Sequence, residues 1–414
     1  MAFLDQTLPN GLRVVVEAMD SASSAAGGFL VRTGSRDEIA PQAGVSHFLE
    51  HMCFKGTEKR TWQEITIGFD DLGSTYNAFT SKERTFYYGW VRRDDLDAQL
   101  ELLADMMRSA LPPDEFSMEK NVILEEIAMS HDQLESHVYD LIHEKVYAGH
   151  PLNWPVLGHK QTVAELSRDQ MHDYFSSRYN PANVVLVVAG NVRPEAVLDS
   201  ARRLCDRWPG GGPRPARVAP PGPGDGITLL RLERFKQQCL CRVFPAPSAV
   251  DDRDTETSDA VASLLGGANS RFYWNIVQAG VAHSASAWRV EYCDCGLMVL
   301  YGFCEPQRCE ALSDALRREA ERITREGVRE EELQRVKNRR RTGLVAEAES
   351  PFYRLVQLAD DVDTFGRPRG VEERMQRIER LAARDVAEYL ERWPITGEGR
   401  LFSVGPRDWP VGAS

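Results

Sequence analysis

Between Pro209 and Gly226 the chain reads PGGGPRPARVAPPGPGDG. Proline lacks a backbone donor and glycine pays a large entropy cost on ordering, so this stretch forms neither a helix nor a central strand. A proline-rich tether is instead extended and semi-rigid. It lies near the middle of 414 residues, a length that exceeds one ordinary core and suits two domains of about 200 residues each. The expected division is a domain over 1–208, a linker over 209–226 and a second domain over 227–414.

The two halves carry similar patterns. The first reads as strands at Arg13–Glu17, Gly27–Thr33 and Thr85–Val91, helices at Leu96–Ser109 and Pro113–Gln133, and a closing strand at Val184–Gly190. The second reads as strands ITLLRLE, CLCRVFPA, AWRVEY and LMVLYGF, with helices near Thr255–Leu265, Ser270–Val277, Glu310–Glu326, Arg329–Ala348 and Ala383–Trp393 before strand RLFSVG. Helices and strands mix without strict alternation, which predicts an α+β class. The runs Val184–Val192 and Arg400–Pro406 occupy the same place in each half. The expected fold is thus a duplicated α+β domain, each copy a mostly antiparallel sheet covered by helices.

Charged residues make up 27% of the chain and the net charge is −12, which argues against nucleic acid as the main partner and is compatible with basic peptides or a plain solvated surface. The first residues, MAFLDQTLPNGLRVVVEAM, lack a basic stretch followed by an apolar one, and no run approaches the ~20 apolar residues of a membrane span. A cytoplasmic chain with no membrane partner is expected. A reducing compartment predicts free thiols at all eight cysteines. Cys239/Cys241 and Cys293/Cys295 are C-x-C pairs in strand-like stretches, where alternation turns both members to one face. They read as buried structural thiols.

The chemistry concentrates in GVSHFLEHMCFKGT, Gly44–Thr57. On a helix His47 and His51 lie four apart on one face, a common platform for zinc. Glu50 sits beside them without being a ligand, in the H-x-x-E-H order of the inverzincins. Two chance histidines on a helix are the alternative, and the motif still needs a third ligand. The segment SMEKNVILEEI supplies candidates on an amphipathic helix, with Val122, Ile123 and Ile127 toward the core. Glu119 and Glu126 are seven apart and share a face, whereas Glu125 points elsewhere. Carboxylates on a partly apolar face need partners or a metal, although a solvated acidic face remains open.

These segments resemble the pitrilysin, insulin-degrading enzyme and mitochondrial processing peptidase family, in its short two-domain bacterial form. LGSTYNAFTSKERTFYY, RYNPANVVLVVAGNV, SRFYWNIVQAGVAH and EELQRVKNRRRTGL extend the resemblance over most of the chain. It implies a zinc metalloendopeptidase holding one Zn2+ on His47, His51 and Glu126, the last 75 residues after His51. Glu50 is then the general base, and Glu119 supports a ligand histidine from behind. GSTYNAFTS resembles the edge strand that pairs with extended peptides, lined by Asn77, Ala78 and Phe79, and an ordinary edge strand is the alternative. Arg271 fits a substrate-contacting arginine, while the matching tyrosine position holds His283. Either His283 substitutes, or a partner chain supplies the missing group, or His283 is merely satisfied locally. The family encloses substrates in a four-domain chamber, so the resemblance implies a dimer, homodimeric or with a related chain. Members that serve as non-catalytic scaffold subunits form the rival class, and they are expected to lack part of the H-x-x-E-H set.

Overall fold

The computed structural model describes residues 3–212 and 214–410. Among the described residues eleven strands are formed: β1 (Phe3–Thr7), β2 (Arg13–Ala18), β3 (Ser24–Val31), β4 (Thr75–Thr80), β5 (Thr85–Arg92), β6 (Val184–Gly190), β7 (Gly226–Arg231), β8 (Gln238–Ala246), β9 (Ser284–Glu291), β10 (Gly296–Cys304) and β11 (Arg400–Gly405). The helices of the first half are α1 (Val45–Cys53), α2 (Trp62–Asp71), α3 (Leu96–Met106), α4 (Pro113–His131), α5 (Leu134–Val146), α6 (Lys160–Glu165), α7 (Arg168–Arg178) and α8 (Pro194–Cys205). Those of the second are α9 (Thr255–Gly266), α10 (Cys309–Glu326), α11 (Glu330–Ala348), α12 (Pro351–Phe365), α13 (Val371–Arg380) and α14 (Ala383–Arg392).

Two sheets result, ordered β1-β2-β6-β3-β5-β4 and β7-β11-β8-β10-β9. In the first, β2 runs parallel to β6 and the pairs β6/β3, β3/β5 and β5/β4 are antiparallel. In the second, β7 runs parallel to β11, and β11/β8, β8/β10 and β10/β9 are antiparallel. Apart from the added β1, order and direction are identical, so the α+β domain is duplicated. The interior strand β6, VVLVVAG, is buried at every position, as a strand covered on both faces must be.

The compact units do not follow the linear division expected from the linker. One unit comprises the chain up to Ser130, Trp154–Arg217 and Val345–Val371; the other comprises His131–Asn153, Val218–Leu344 and the chain from Glu372. The boundary at Arg217 does fall inside the proline-rich stretch. The domains 1–208 and 227–414 need correcting because each linear half contributes one helix to the unit built mainly from the other half. In the first unit α12 closes one sheet face, with Leu355, Leu358, Ala359 and Val362 against Val15, Ala26, Leu30 and Phe86. In the second unit α5 does the same, with Leu134, Val138 and Ile142 against Cys239, Cys241, Val243 and Phe402. The exchanged helices are equivalents, since α5 follows α4 as α12 follows α11.

Three further expectations are revised. The segment expected as a helix over Ser270–Val277 forms a π-helical turn, Tyr273–Val277. Val122 is not a core residue but 45% exposed, while Ile123 and Ile127 are buried. Cys239 and Cys241 do share a buried strand face, with Sγ atoms 3.6 Å apart. Cys293 and Cys295, by contrast, lie in the loop between β9 and β10 and are only partly buried. All eight cysteines lack a disulfide.

Candidate metal centre

The site begins with the start of α1. Gly44 takes φ +98, a conformation glycine adopts freely, and a Cβ there would meet the carbonyl of Leu157 at 2.7 Å. The buried Glu38 carboxylate accepts from the backbone N–H groups of Gly44 (2.7 Å) and Ser46 (2.8 Å), two of the donors a helix leaves open at its first turn. Tyr174 Oη ties Ser46 Oγ (2.7 Å) to Thr33 Oγ1 (3.0 Å). Val45, Phe48, Leu49, Met52 and Cys53 bury the other face of α1. The helix is therefore rigid where it carries His47 and His51, whose ring centroids are 4.7 Å apart.

Helix α4 brings the carboxylates. Phe116 stacks on Phe48 at 4.8 Å and Ile123 is fully buried, which fixes α4 against α1. Glu126 Oε2 then stands 3.8 Å from His47 Nε2 and 3.7 Å from His51 Nε2. Both separations exceed hydrogen-bonding range, and this oxygen is buried with no hydrogen-bond partner among the described residues. One donor atom from each of the three residues lies within 4.8 Å of the others. Zinc binds imidazole nitrogen and carboxylate oxygen at about 2.0–2.2 Å, so one ion would satisfy the orphaned oxygen and both imidazoles together. Three protein ligands also leave a coordination position open. The residues present fit the metal.

The surroundings prepare these donors. Burial, with His51 adding to it, lowers the His47 pKa to about 3, so its imidazole is neutral and able to ligate. Burial also disfavours charge on His51, but Glu119, Glu126 and Glu50 outweigh it and shift its pKa upward. His51 Nδ1 lies 2.8 Å from Glu119 Oε1, which fixes the tautomer that turns Nε2 toward Glu126. Burial would raise the Glu119 carboxyl, yet His51 and Lys55 Nζ, at 2.5 Å, hold it below its ordinary value. A Glu119→Gln chain is expected to bind zinc about 10–100-fold more weakly, measured by competition with a chromophoric chelator, while the exposed Glu125→Gln leaves affinity unchanged. Equal affinities for the two variants would remove Glu119 from the site.

Glu50 lies beside the triad and outside it. Its side chain is buried, and Thr80 Oγ1 donates to Oε2 at 2.6 Å. Burial raises its pKa, against the Thr80 hydrogen bond and His51. Thr80 was not legible as a site residue. Its only signal is strand alternation, which puts it on the same side of β4 as Ala78.

The insulinase family profile (peptidase family M16) matches residues 13–160, and that of the peptidase M16 inactive domain matches residues 165–340. A Rickettsia felis protein named an uncharacterized zinc protease is 31% identical over 411 residues, spanning 97% of both chains. The chain belongs to peptidase family M16. The Bacillus subtilis zinc protease YmxG is another M16-type relative, 32% identical over 83% of this chain and 84% of its own. In structure, a Helicobacter pylori protease superposes with a TM-score of 0.92 at 22% identity, covering 98% of this chain and 99% of that one. A Pseudomonas fluorescens peptidase M16 inactive domain superposes at 0.89 with 16% identity, covering 99% and 98%.

Duplication makes the division of labour in this M16 chain visible. Helix α9 follows β8 as α1 follows β3, yet it carries Glu256 and Asp259 and no histidine. The remaining residues singled out from sequence fall as follows. Strand β4 is the edge of its sheet, and Asn77 is exposed on it. Ala78 is buried in the core behind α1, and Phe79 packs on the opposite sheet face near Phe86 and Tyr88. Their side chains therefore do not form one lining, and Asn77 Oδ1 accepts from the backbone N–H of Ala78 at 2.8 Å. In the second unit, Arg271 is held by Glu332 at 3.0 Å and by the Gly327 carbonyl at 2.9 Å. His283 is exposed, and its backbone N–H donates to the Phe303 carbonyl.

Proposed function

We propose that this chain is a zinc-dependent endopeptidase that hydrolyses short or unfolded peptides. The observation that carries the reading is the placement of Glu50: a buried carboxylate next to three convergent ligands but not one of them. His47, His51 and Glu126 would hold the ion. Zinc supplies Lewis acidity and activates water at neutral pH. Glu50 takes the proton of the attacking water and delivers it to the departing amine nitrogen. Thr80 fixes the carboxylate through one oxygen, so the other is oriented for proton transfer. The exposed edge of β4 binds an extended peptide as a further strand, which gives main-chain affinity with little sequence preference.

The working form is a dimer that encloses its substrate, and it acts in the cytoplasm. A homodimer is the simplest assembly. A second reading keeps the metal here but takes substrate-contacting groups from a related chain. It is favoured by His283 in the place of a tyrosine and by the engagement of Arg271 with Glu332.

Mass spectrometry of a mixed pool of unstructured peptides, incubated with the purified chain, tests the proposal. Cleavage that stops with a chelator and returns with zinc is the expected result. A zinc-loaded chain that cuts nothing alone, but cuts once a related chain is added, establishes the second reading. A zinc-loaded chain silent under both conditions overturns the peptidase assignment.

A further inference from the structure

The second unit contains an open cavity of about 830 Å³ between the π-helical turn, the end of α10 and the start of α11. Five arginines line it against two glutamates, in a chain whose net charge is −12. The glutamates consume only part of this charge, Glu326 pairing with Arg322 at 2.9 Å. Glu332 is shared by Arg271 (3.0 Å) and Arg329 (3.4 Å). Burial would raise the Glu332 carboxyl, but Arg271 and then Arg329 hold it at about 2, so it stays ionised and neutralises only one of the two. Arg271 is nine-tenths buried, and its Nη1 has no hydrogen-bond partner among the described residues. Arg335 has neither an ionic nor a hydrogen-bonded partner among them. Arg339, one turn further along α11, donates only to the Ala268 carbonyl. The π-helical turn, a distortion common at functional sites, carries Trp274 out to 58% exposure at the cavity mouth.

We propose that this cavity binds the carboxylates of an acidic peptide segment. Guanidinium groups match carboxylates as a planar two-pronged fork, and the unengaged fork of Arg335 and the part-engaged one of Arg339 stand on one helix face. Trp274 offers a flat apolar surface to the side chain next to the bound acid. The volume suits a few residues of peptide rather than a lone ion. A long polyanion is disfavoured by the acidic balance of the whole chain. The inference deepens the peptidase reading and rests on it for the peptide nature of the ligand, adding a preference for peptides that carry acidic residues.

Binding is measured by fluorescence anisotropy on the chelator-treated full chain, so the readout does not depend on zinc or on cleavage. The probes are a labelled flexible peptide carrying several glutamates and its glutamine counterpart. The glutamate peptide is expected to bind at least about tenfold more tightly, with the preference fading as salt is raised. Arg335→Glu combined with Arg339→Glu, both at exposed positions, is expected to abolish the preference while the thermal midpoint stays in place. The milder pair Arg335→Gln and Arg339→Gln is expected to remove most of it. Equal binding of the two peptides, a preference that survives both pairs of substitutions, or displacement by inorganic phosphate at lower concentration than by the peptide overturns the proposal. Failure of the peptidase reading shows separately, as a zinc-loaded chain that leaves the peptide pool uncut.

Discussion

A Glu50→Gln chain is expected to retain zinc at the stoichiometry of the parent and to lose peptide turnover by about 10²–10⁴-fold or more. The amide keeps the size of the carboxylate and can still meet Thr80 Oγ1, so the packing behind α1 is preserved. It cannot take a proton, so the loss falls on kcat rather than on metal binding. Glu126→Gln is the matched control. It removes the charge from the oxygen that faces both imidazoles at 3.8 and 3.7 Å, so it is expected to lower zinc affinity by more than the outer-partner change at Glu119. Zinc analysis and peptide cleavage on the two proteins separate the roles. Cleavage retained by Glu50→Gln, or zinc retained by Glu126→Gln, would redraw the site.

The second large effect is on stability. Arg354 of α12 is 1% exposed and bonds Glu17 Oε2 of β2 through Nε (2.8 Å) and Nη2 (2.7 Å), and Gln357 accepts from its Nη1. Arg354→Ala leaves Glu17 charged and alone in the core, which costs about 3–5 kcal/mol. The variant is expected to show this in denaturant midpoint. Replacing both partners, Glu17→Leu with Arg354→Met, is expected to recover most of the loss, because apolar pairs of similar volume often stand in for buried ions. A single variant as stable as the parent would mean that α12 does not rest on this sheet face.

What could be read from the sequence was local or strictly spaced. Histidines one helical turn apart with Glu50 between them, and glutamates two turns apart, declare a shared face wherever the helices lie. The equivalence of β6 and β11 was legible from continuous apolar runs, and the edge position of β4 from the family resemblance alone. The failures are long-range. Nothing in α5 or α12 marks which sheet each will cover, because an amphipathic helix states that it has an apolar face and not where that face goes. The Arg271–Glu332 pair joins residues 61 apart in sequence, so nothing near Arg271 in the chain announced that part of its guanidinium is engaged. Cys293 and Cys295 alternate like a strand, but Asp294 and Gly296 suit the hairpin loop they occupy.

The exchange of α5 and α12 also sets a timetable. The first unit cannot close its second sheet face until Phe365 has been made, roughly 150 residues after its last earlier segment ends at Arg217. At about 5–20 residues per second, that is a wait of roughly 7–30 s on the ribosome. For that interval Val15, Ala26, Leu30 and Phe86 present an uncovered apolar surface, and the metal-ligand helix is anchored to a half-clad sheet. The other unit meanwhile holds α5 in readiness for strands not yet translated. Cutting the gene at the proline-rich stretch therefore yields two fragments that each lack a wall, and neither is a domain in the sense of something that folds alone.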